Sequence, residues 1–326
     1  MGKFLRERAN YRKSEVSGFL LLQKFTILIL VAALFSTGTA DSEENEAQNT
    51  QRVAVVTGAN KGIGFAIVKG LLEKFDGIVY LTARDETRGL AAVEELKNAG
   101  FNPRFHQLDV VDDASIERFK NYINETHGGL DILVNNAGIM YLDDAPGSSE
   151  ERAVDTLEVN YFGLLNVSNA LFPLLRPHAR VVQMSSSLGL LSMIPGEELR
   201  AKLSRPDLTE PELSQMMRDY IELVRTNAHE AAGWPSYEYI VSKVGVAALS
   251  RIQQRAFDSD SREDIAVNTA HPGYVNTDLT KHLGVLSPER GAVSSIFAAL
   301  LPNDTDIKGK FVWKDKRIID WETFGA

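Results

Sequence analysis

From Arg52 to the end of the chain, short runs of β-branched and aliphatic residues alternate with longer amphipathic segments. Apolar runs of roughly four to eight residues suit strands buried on both faces, and an apolar repeat of about 3.6 residues suits the helices that cover them. The pattern predicts strands at Val53–Thr57, Ile78–Ala83, Arg104–Leu108, Ile132–Asn135, Arg180–Met184, Ala266–Ala270 and Lys310–Trp313. Helices are expected at Ile63–Lys74, Arg88–Asn98, Ala114–Thr126, Ala153–Leu175, Ser236–Phe257 and Pro288–Leu300. Strands alternating with helices make βαβ units, because two parallel strands need a crossover and a helix supplies it. The expected fold is therefore α/β, a doubly wound seven-stranded parallel sheet of the Rossmann type with helices on both faces.

Two stretches break the alternation. Residues 1–40 begin with Lys3, Arg6, Arg8, Arg12 and Lys13, continue through an apolar stretch from Phe25 to Phe35, and end in small residues that include Gly38 and Ala40. A positive front, an apolar middle and a small-residue end are the layout of a secretory signal. Gln23 and Lys24 interrupt the apolar residues that start at Gly18, leaving a run shorter than the roughly 20 residues of a spanning helix. Residues 1–40 are expected to be a signal peptide or short signal anchor, 41–51 an acidic linker, and 52–326 one folded domain. A working leader would place the protein in the secretory pathway, with membrane association through residues 18–36; without it the protein would be cytoplasmic. The second stretch, Pro195 to Pro235, reads as a charged helical insert. Within it Thr209, Glu210, Pro211 and Glu212 have the order of an N-cap, a helix-start proline and first-turn acids.

Composition narrows the functional classes. With a net charge of -9 and no Lys/Arg-rich tract, the chain lacks the footprint of a nucleic-acid binder. Cysteine is absent, which removes disulfides, thiolate nucleophiles and zinc–thiolate sites, and no metal site is expected. Asn-x-Ser/Thr triplets begin at Asn124, Asn166 and Asn303, but such triplets are common by chance and the first two fall in predicted helices.

Chemistry concentrates at the predicted strand ends. Gly58, Gly62 and Gly64 lie between the first strand and the first helix, where glycines let the backbone turn tightly and approach a pyrophosphate at the helix N-terminus. After the second strand, where an NAD enzyme would place a carboxylate, Arg84 stands first. Arg84, with Lys61 and Arg88, would pair with a 2′-phosphate and favour NADPH; Asp85 keeps NAD as the competing choice. Asp109 closes the third strand, within reach of an adenine amino group. Tyr239 and Lys243 are four residues apart on one helix face, and a lysine charge there would lower the phenol pKa toward useful acid–base range. Ser186, with Ser185 and Ser187 as competitors, follows the fifth strand and would hydrogen-bond a substrate carbonyl. Asn160 falls inside a predicted helix, where a buried amide needs a partner.

These residues, from about Arg52 to the end, resemble the short-chain dehydrogenase/reductase family, and closely its monomeric carbonyl reductases. The resemblance rests on Thr57 to Gly64, Leu81 to Gly89, Arg104 to Asp109, Gly128 to Gly138, Arg180 to Ser186, Gly233 to Pro235 with Tyr239 and Lys243, and Pro272-Gly273 with Thr277 and Asp278. It implies a catalytic tetrad of Asn160, Ser186, Tyr239 and Lys243, with Asn160 positioning a water that feeds protons to Tyr239. It also implies NADP(H) held by Gly58, Asn60, Lys61, Gly62, Ile63, Gly64, Arg84, Arg88, Asp109, Val110, Asn136, Ala137 and Gly138. Pro272, Gly273 and Thr277 would pass beside the nicotinamide end, and Tyr274 and Leu279 would line the substrate side.

Ser186 and Tyr239 are 53 residues apart, more than in most of the family, and the insert supplies the difference. In similar carbonyl reductases such an insert covers the helix face used for dimerisation, which implies a monomer. The function implied is NADPH-dependent reduction of small-molecule ketones, aldehydes or quinones. A membrane-associated or luminal alcohol or steroid dehydrogenase, and a catalytically idle NADP-binding protein, are the alternatives.

Overall fold

A computed structural model describes residues 51–142 and 145–325. The expected leader and nearly all of the acidic linker lie outside the described residues. Arg52–Ala326 forms one compact unit. No helix among the described residues is long and apolar enough to cross a membrane.

The unit is built on a sheet of eight strands in the order β3-β2-β1-β4-β5-β6-β7-β8. These are β1 Val53–Val56, β2 Ile78–Ala83, β3 Arg104–Gln107, β4 Leu130–Asn135, β5 Leu175–Met184, β6 Ala266–Ala270, β7 Phe311–Val312 and β8 Ile318–Ile319. Pairing is parallel from β3 to β7, and β8 returns antiparallel on β7. The expected seven-stranded parallel sheet is thus corrected to eight strands. The short turn between β7 and β8 leaves no room for a crossover, so the last strand must run back.

Alternation along β1 shows how the layers form. Val53 and Val55 pack with Ile116, Phe119 and Ile123 of α3 (Asp113–His127) on one face. Ala54 and Val56 pack with Ile67 and Leu71 of α1 (Gly62–Leu72), Val93 and Leu96 of α2 (Glu86–Asn98) and Ala292 of α9 (Pro288–Ala299) on the other. With successive side chains pointing to opposite faces, a run of four apolar residues serves both layers.

The expected continuous helix Ala153–Leu175 is four pieces: α4 Ser149–Leu157, a π-helical turn Glu158–Gly163, α5 Leu164–Leu171 and a 3₁₀ turn Phe172–Leu174. Pro173 ends α5, because its ring removes a donor and restricts Phe172, and β5 starts at Leu175 rather than Arg180. The π turn holds Asn160 at its centre.

The insert folds as α6 Glu197–Ser204 and α7 Glu210–Arg225. A capping box between Thr209 and Glu212 starts α7, and the Arg205 guanidinium and Thr209 bonds hold the Glu212 carboxyl down at about 2. Leu213, Met217, Tyr220 and Val224 of α7 join Leu157 and Tyr161 and Val241 and Val244 of α8 (Glu238–Phe257) in one apolar cluster. Burial of each such side chain is worth roughly 1.5–3 kcal/mol, which fixes the insert against α4 and α8.

Candidate functional site

Parallel strands direct their C-terminal ends to one edge of the sheet, so the loops after β1 to β6 meet there. A cleft of about 680 Å³ runs along that edge, within the ordinary size range for a small-molecule site. Gly58, Asn60, Lys61, Gly62, Ile63, Gly64, Arg84, Arg88, Asp109, Val110, Asn136, Ala137 and Gly138 line it, together with Tyr239, Lys243, Pro272, Thr277 and Leu279.

The glycine loop is shaped by close approach. Gly58 has φ +61, and a Cβ there would meet Ala137 Cα at 2.8 Å; at Gly64 it would meet Gly58 O at 2.7 Å. No side chain fits either position without moving backbone, and the first residues of α1, Gly62 to Gly64, line the cleft. Thr57 Oγ1 accepts hydrogen bonds from the Asn136 and Ala137 amides, both at 3.0 Å, and Asn136 Nδ2 donates to Thr57 O and Gly58 O. Asn136 therefore braces the loop with its side chain.

Of the cations at this end, Arg84 is exposed and makes no ion pair among the described residues. Arg88 pairs with Asp85 at 3.2 Å, and Lys61 pairs with Asp278 at 2.6 Å. Asp85 is the N-cap of α2: its Oδ1 accepts the Arg88 amide at 2.9 Å, and its carboxyl sits below the usual range. The carboxylate that would receive a ribose 2′-hydroxyl is thus committed to its own helix, while a free guanidinium stands beside it. Asp109 Oδ1 accepts the Val111 amide at 3.2 Å.

At the other end the groups are buried. Tyr239 is 7% exposed, Lys243 3% and Asn160 fully buried. Lys243 Nζ donates to Met184 O at 3.0 Å and lies 5.5 Å from the centre of the Tyr239 ring. Desolvation lowers the Lys243 pKa to about 8. The same desolvation pushes the Tyr239 phenol well above its ordinary value, while a Ser186 hydrogen bond pulls it down. The net shift is opposite in direction to the one expected from the lysine charge. Burial is the dominant influence on the phenol and favours its protonated form.

The serines differ in what they touch: Ser185 Oγ donates to Lys243 O at 2.9 Å and Ser185 lines the cleft, whereas Ser186 Oγ accepts the Leu188 amide at 3.2 Å. Neither Ser186 nor Asn160 lines the cleft, nor does Gly273, whose φ of +87 serves the turn after β6. Tyr274, expected at the substrate side, is 49% exposed and also outside the lining. Conversely, Met140, Tyr141 and His282 line the cleft and were not anticipated. Tyr141 follows the recognisable Asn136–Gly138 segment closely enough to have been considered; His282 carried no signal.

The family described as short chain dehydrogenase matches residues 52–197. Carbonyl reductase (NADPH) 3 of Mus musculus is 44% identical over 273 residues, covering 83% of this chain and 98% of that protein. The chain belongs to the short-chain dehydrogenase family. Carbonyl reductase (NADPH) 1 of Homo sapiens is 42% identical over 272 residues, covering 82% of this chain and 98% of that protein. Among solved structures, salutaridine reductase from Papaver somniferum superposes with a TM-score of 0.73 at 34% identity, covering 80% of this chain and 99% of that one. In this short-chain dehydrogenase the cleft can therefore be treated as two ends, an exposed cationic one and a buried one holding a phenol and an amine.

Proposed function

We propose that the chain is an NADPH-dependent carbonyl reductase acting on small ketones, aldehydes or quinones. The observation that carries this reading is the pairing, in one cleft, of an uncommitted Arg84 with a buried Tyr239–Lys243 pair faced by Ser186. The residues fit the cofactor: the close-packed Gly58 and Gly64 turn leaves room for a pyrophosphate, and Arg84 offers a fork to a 2′-phosphate where Asp85 is already bound. The names of the mouse and human relatives support the same cofactor and chemistry.

NADPH, when bound, supplies the hydride. Tyr239, protonated because it is buried, donates a proton to the carbonyl oxygen through its hydroxyl. Ser186, whose hydroxyl pulls the phenol pKa down, would polarise the same oxygen. Lys243 brings a positive charge within 5.5 Å of the ring and stabilises the phenolate left behind. Pro272 and Thr277 border the cleft at the turn after β6, and Leu279 with Tyr141 gives the substrate an apolar and aromatic wall.

The insert helix α7 covers α4 and α8, and this cover over a face otherwise open to self-association supports reading the protein as a monomer. Arg52–Ala326 is read as a single reductase domain, and residues 1–40 as a signal peptide or anchor, testable by N-terminal sequencing of the recovered protein and protease protection on membranes. The function is tested by initial-rate reduction of a panel of quinones, aromatic ketones and aldehydes with NADPH and NADH side by side. Turnover preferring NADPH supports it; cofactor binding without turnover across the panel overturns it.

A further inference from the structure

Asn160 is fully buried, and all of its amide hydrogens are taken. Its Oδ1 accepts the Ile139 amide at 2.8 Å, and its Nδ2 donates to Ile139 O at 2.9 Å and to Ser242 Oγ at 3.1 Å. The side chain of Asn160 therefore has no donor left for a water or a substrate. What it does is join three segments: the loop after β4, the π turn and α8.

The third contact is the informative one. Ser242 is fully buried on α8, three residues after Tyr239 and next to Lys243. Its hydroxyl donates to Tyr239 O at 2.8 Å and accepts from Asn160 Nδ2. A hydroxyl can do both at once, which no aliphatic side chain can. Gly138 lies on the same joint: a Cβ there would meet Asn160 Oδ1 at 3.1 Å and Lys243 Nζ at 3.5 Å. The wall of the cleft, the π turn and the helix bearing both reactive groups are thus locked through one serine hydroxyl and one carboxamide.

We propose that Ser242 is a positioning residue for proton transfer, its hydroxyl holding the Tyr239–Lys243 face of α8 in register with the Gly138–Ile139 wall through Asn160. Ser242 is fully buried outside the lining of the cleft, and it acts through the residues it orients. A misplacement of about 1 Å in such a site is enough to lower the rate by two orders of magnitude. The proposal rests on the carbonyl reductase reading given above.

The test uses the purified full chain, with Ser242→Ala, Ser242→Thr, Asn160→Ala and the double variant Ser242→Ala/Asn160→Ala. Expected for Ser242→Ala is a fall in kcat of about tenfold or more, with the NADPH dissociation constant within about twofold of wild type and a displaced pH profile of kcat. Ser242→Thr, which keeps the hydroxyl, restores most of kcat, and the double variant is no slower than Asn160→Ala, because both remove one joint. Should Ser242→Thr fail to fold in so tight a site, the double-variant comparison decides alone. Unchanged kcat in Ser242→Ala, losses that multiply in the double variant, or NADPH binding and folding that fall in step with kcat would each overturn the proposal. An inactive wild-type enzyme would instead sink the functional reading, and this proposal with it; an active wild type beside an unimpaired Ser242→Ala sinks the proposal alone.

Discussion

The two ends of the cleft are built on different physics. At the cofactor end, Lys61, Arg84 and Arg88 are exposed, and the shape comes from backbone that no side chain could replace. At the chemical end, Tyr239, Lys243 and Asn160 are buried, and every polar atom is set by a named partner or shifted by loss of water. Charges in water are screened and individually weak, whereas charges removed from water alter one another's protonation strongly. The cofactor end should therefore respond to substitution in small, nearly additive and salt-sensitive steps, and the chemical end in large coupled ones.

The largest effect is expected at Tyr239. Tyr239→Phe removes only the hydroxyl and should lower kcat by about a thousandfold or more, leaving NADPH binding, followed by fluorescence titration, within about twofold. Retained turnover would erase the distinction between the two ends. Next is Lys243, through stability. Its folded pKa of about 8 lies below the ordinary lysine value of about 10.4, so between these the unfolded chain binds more protons and folding becomes more favourable as pH rises. The urea midpoint of the ligand-free protein should climb from pH 8 to pH 10 relative to Lys243→Met, measured by circular dichroism; parallel curves would show that Lys243 is not desolvated.

Smaller effects belong to the exposed end. Arg84→Ala should raise the KM for NADPH about tenfold, which corresponds to about 1.4 kcal/mol, and leave kcat and the KM for NADH nearly unchanged. The NADPH preference of the wild type should also shrink as salt is raised, a trend absent in the variant. Equal losses with both cofactors would remove the 2′-phosphate role. The smallest change is expected for Asp278→Asn, which releases Lys61 from its 2.6 Å pair and should tighten NADPH binding by about twofold, read by titration calorimetry.

The comparison also explains what the sequence could and could not convey. The places of Gly58, Gly62, Gly64, Arg84, Tyr239 and Lys243 along the cleft were legible because they follow from local spacing: a turn between strand and helix, a strand end, one helical turn. Ser186 was preferred to Ser185 on its position after β5, but spacing could not show that Ser185 is the one bonded to the backbone of α8, since that contact is made across the sheet. The capping role of Asp85 was hidden for a similar reason: a carboxylate after a strand suits a ribose or a helix N-terminus equally, and only the start of α2 at Glu86 decides. The π turn at Asn160 is set by tertiary packing, where Gly163 lets Val110 approach so closely that a Cβ would meet it at 3.0 Å. The antiparallel β8 was missed because two residues carry no periodicity.

The strand order also has a consequence in time. β1, made early, lies between β2 and β4, and Thr57 secures its turn only on amides of Asn136 and Ala137. β6, which brings Pro272 and Thr277 to the cleft, is flanked on its outer side by β7, with Ala270 opposite Val312. A nascent chain that has emerged as far as Lys243 thus carries the phenol, the amine and the glycine loop, yet lacks the strand that closes the floor beneath them. Contacts this distant in sequence form late, because loop closure must precede them. A chain cut short before its final strands should therefore bind NADPH more weakly than the full chain, a difference that titration of truncated chains would read.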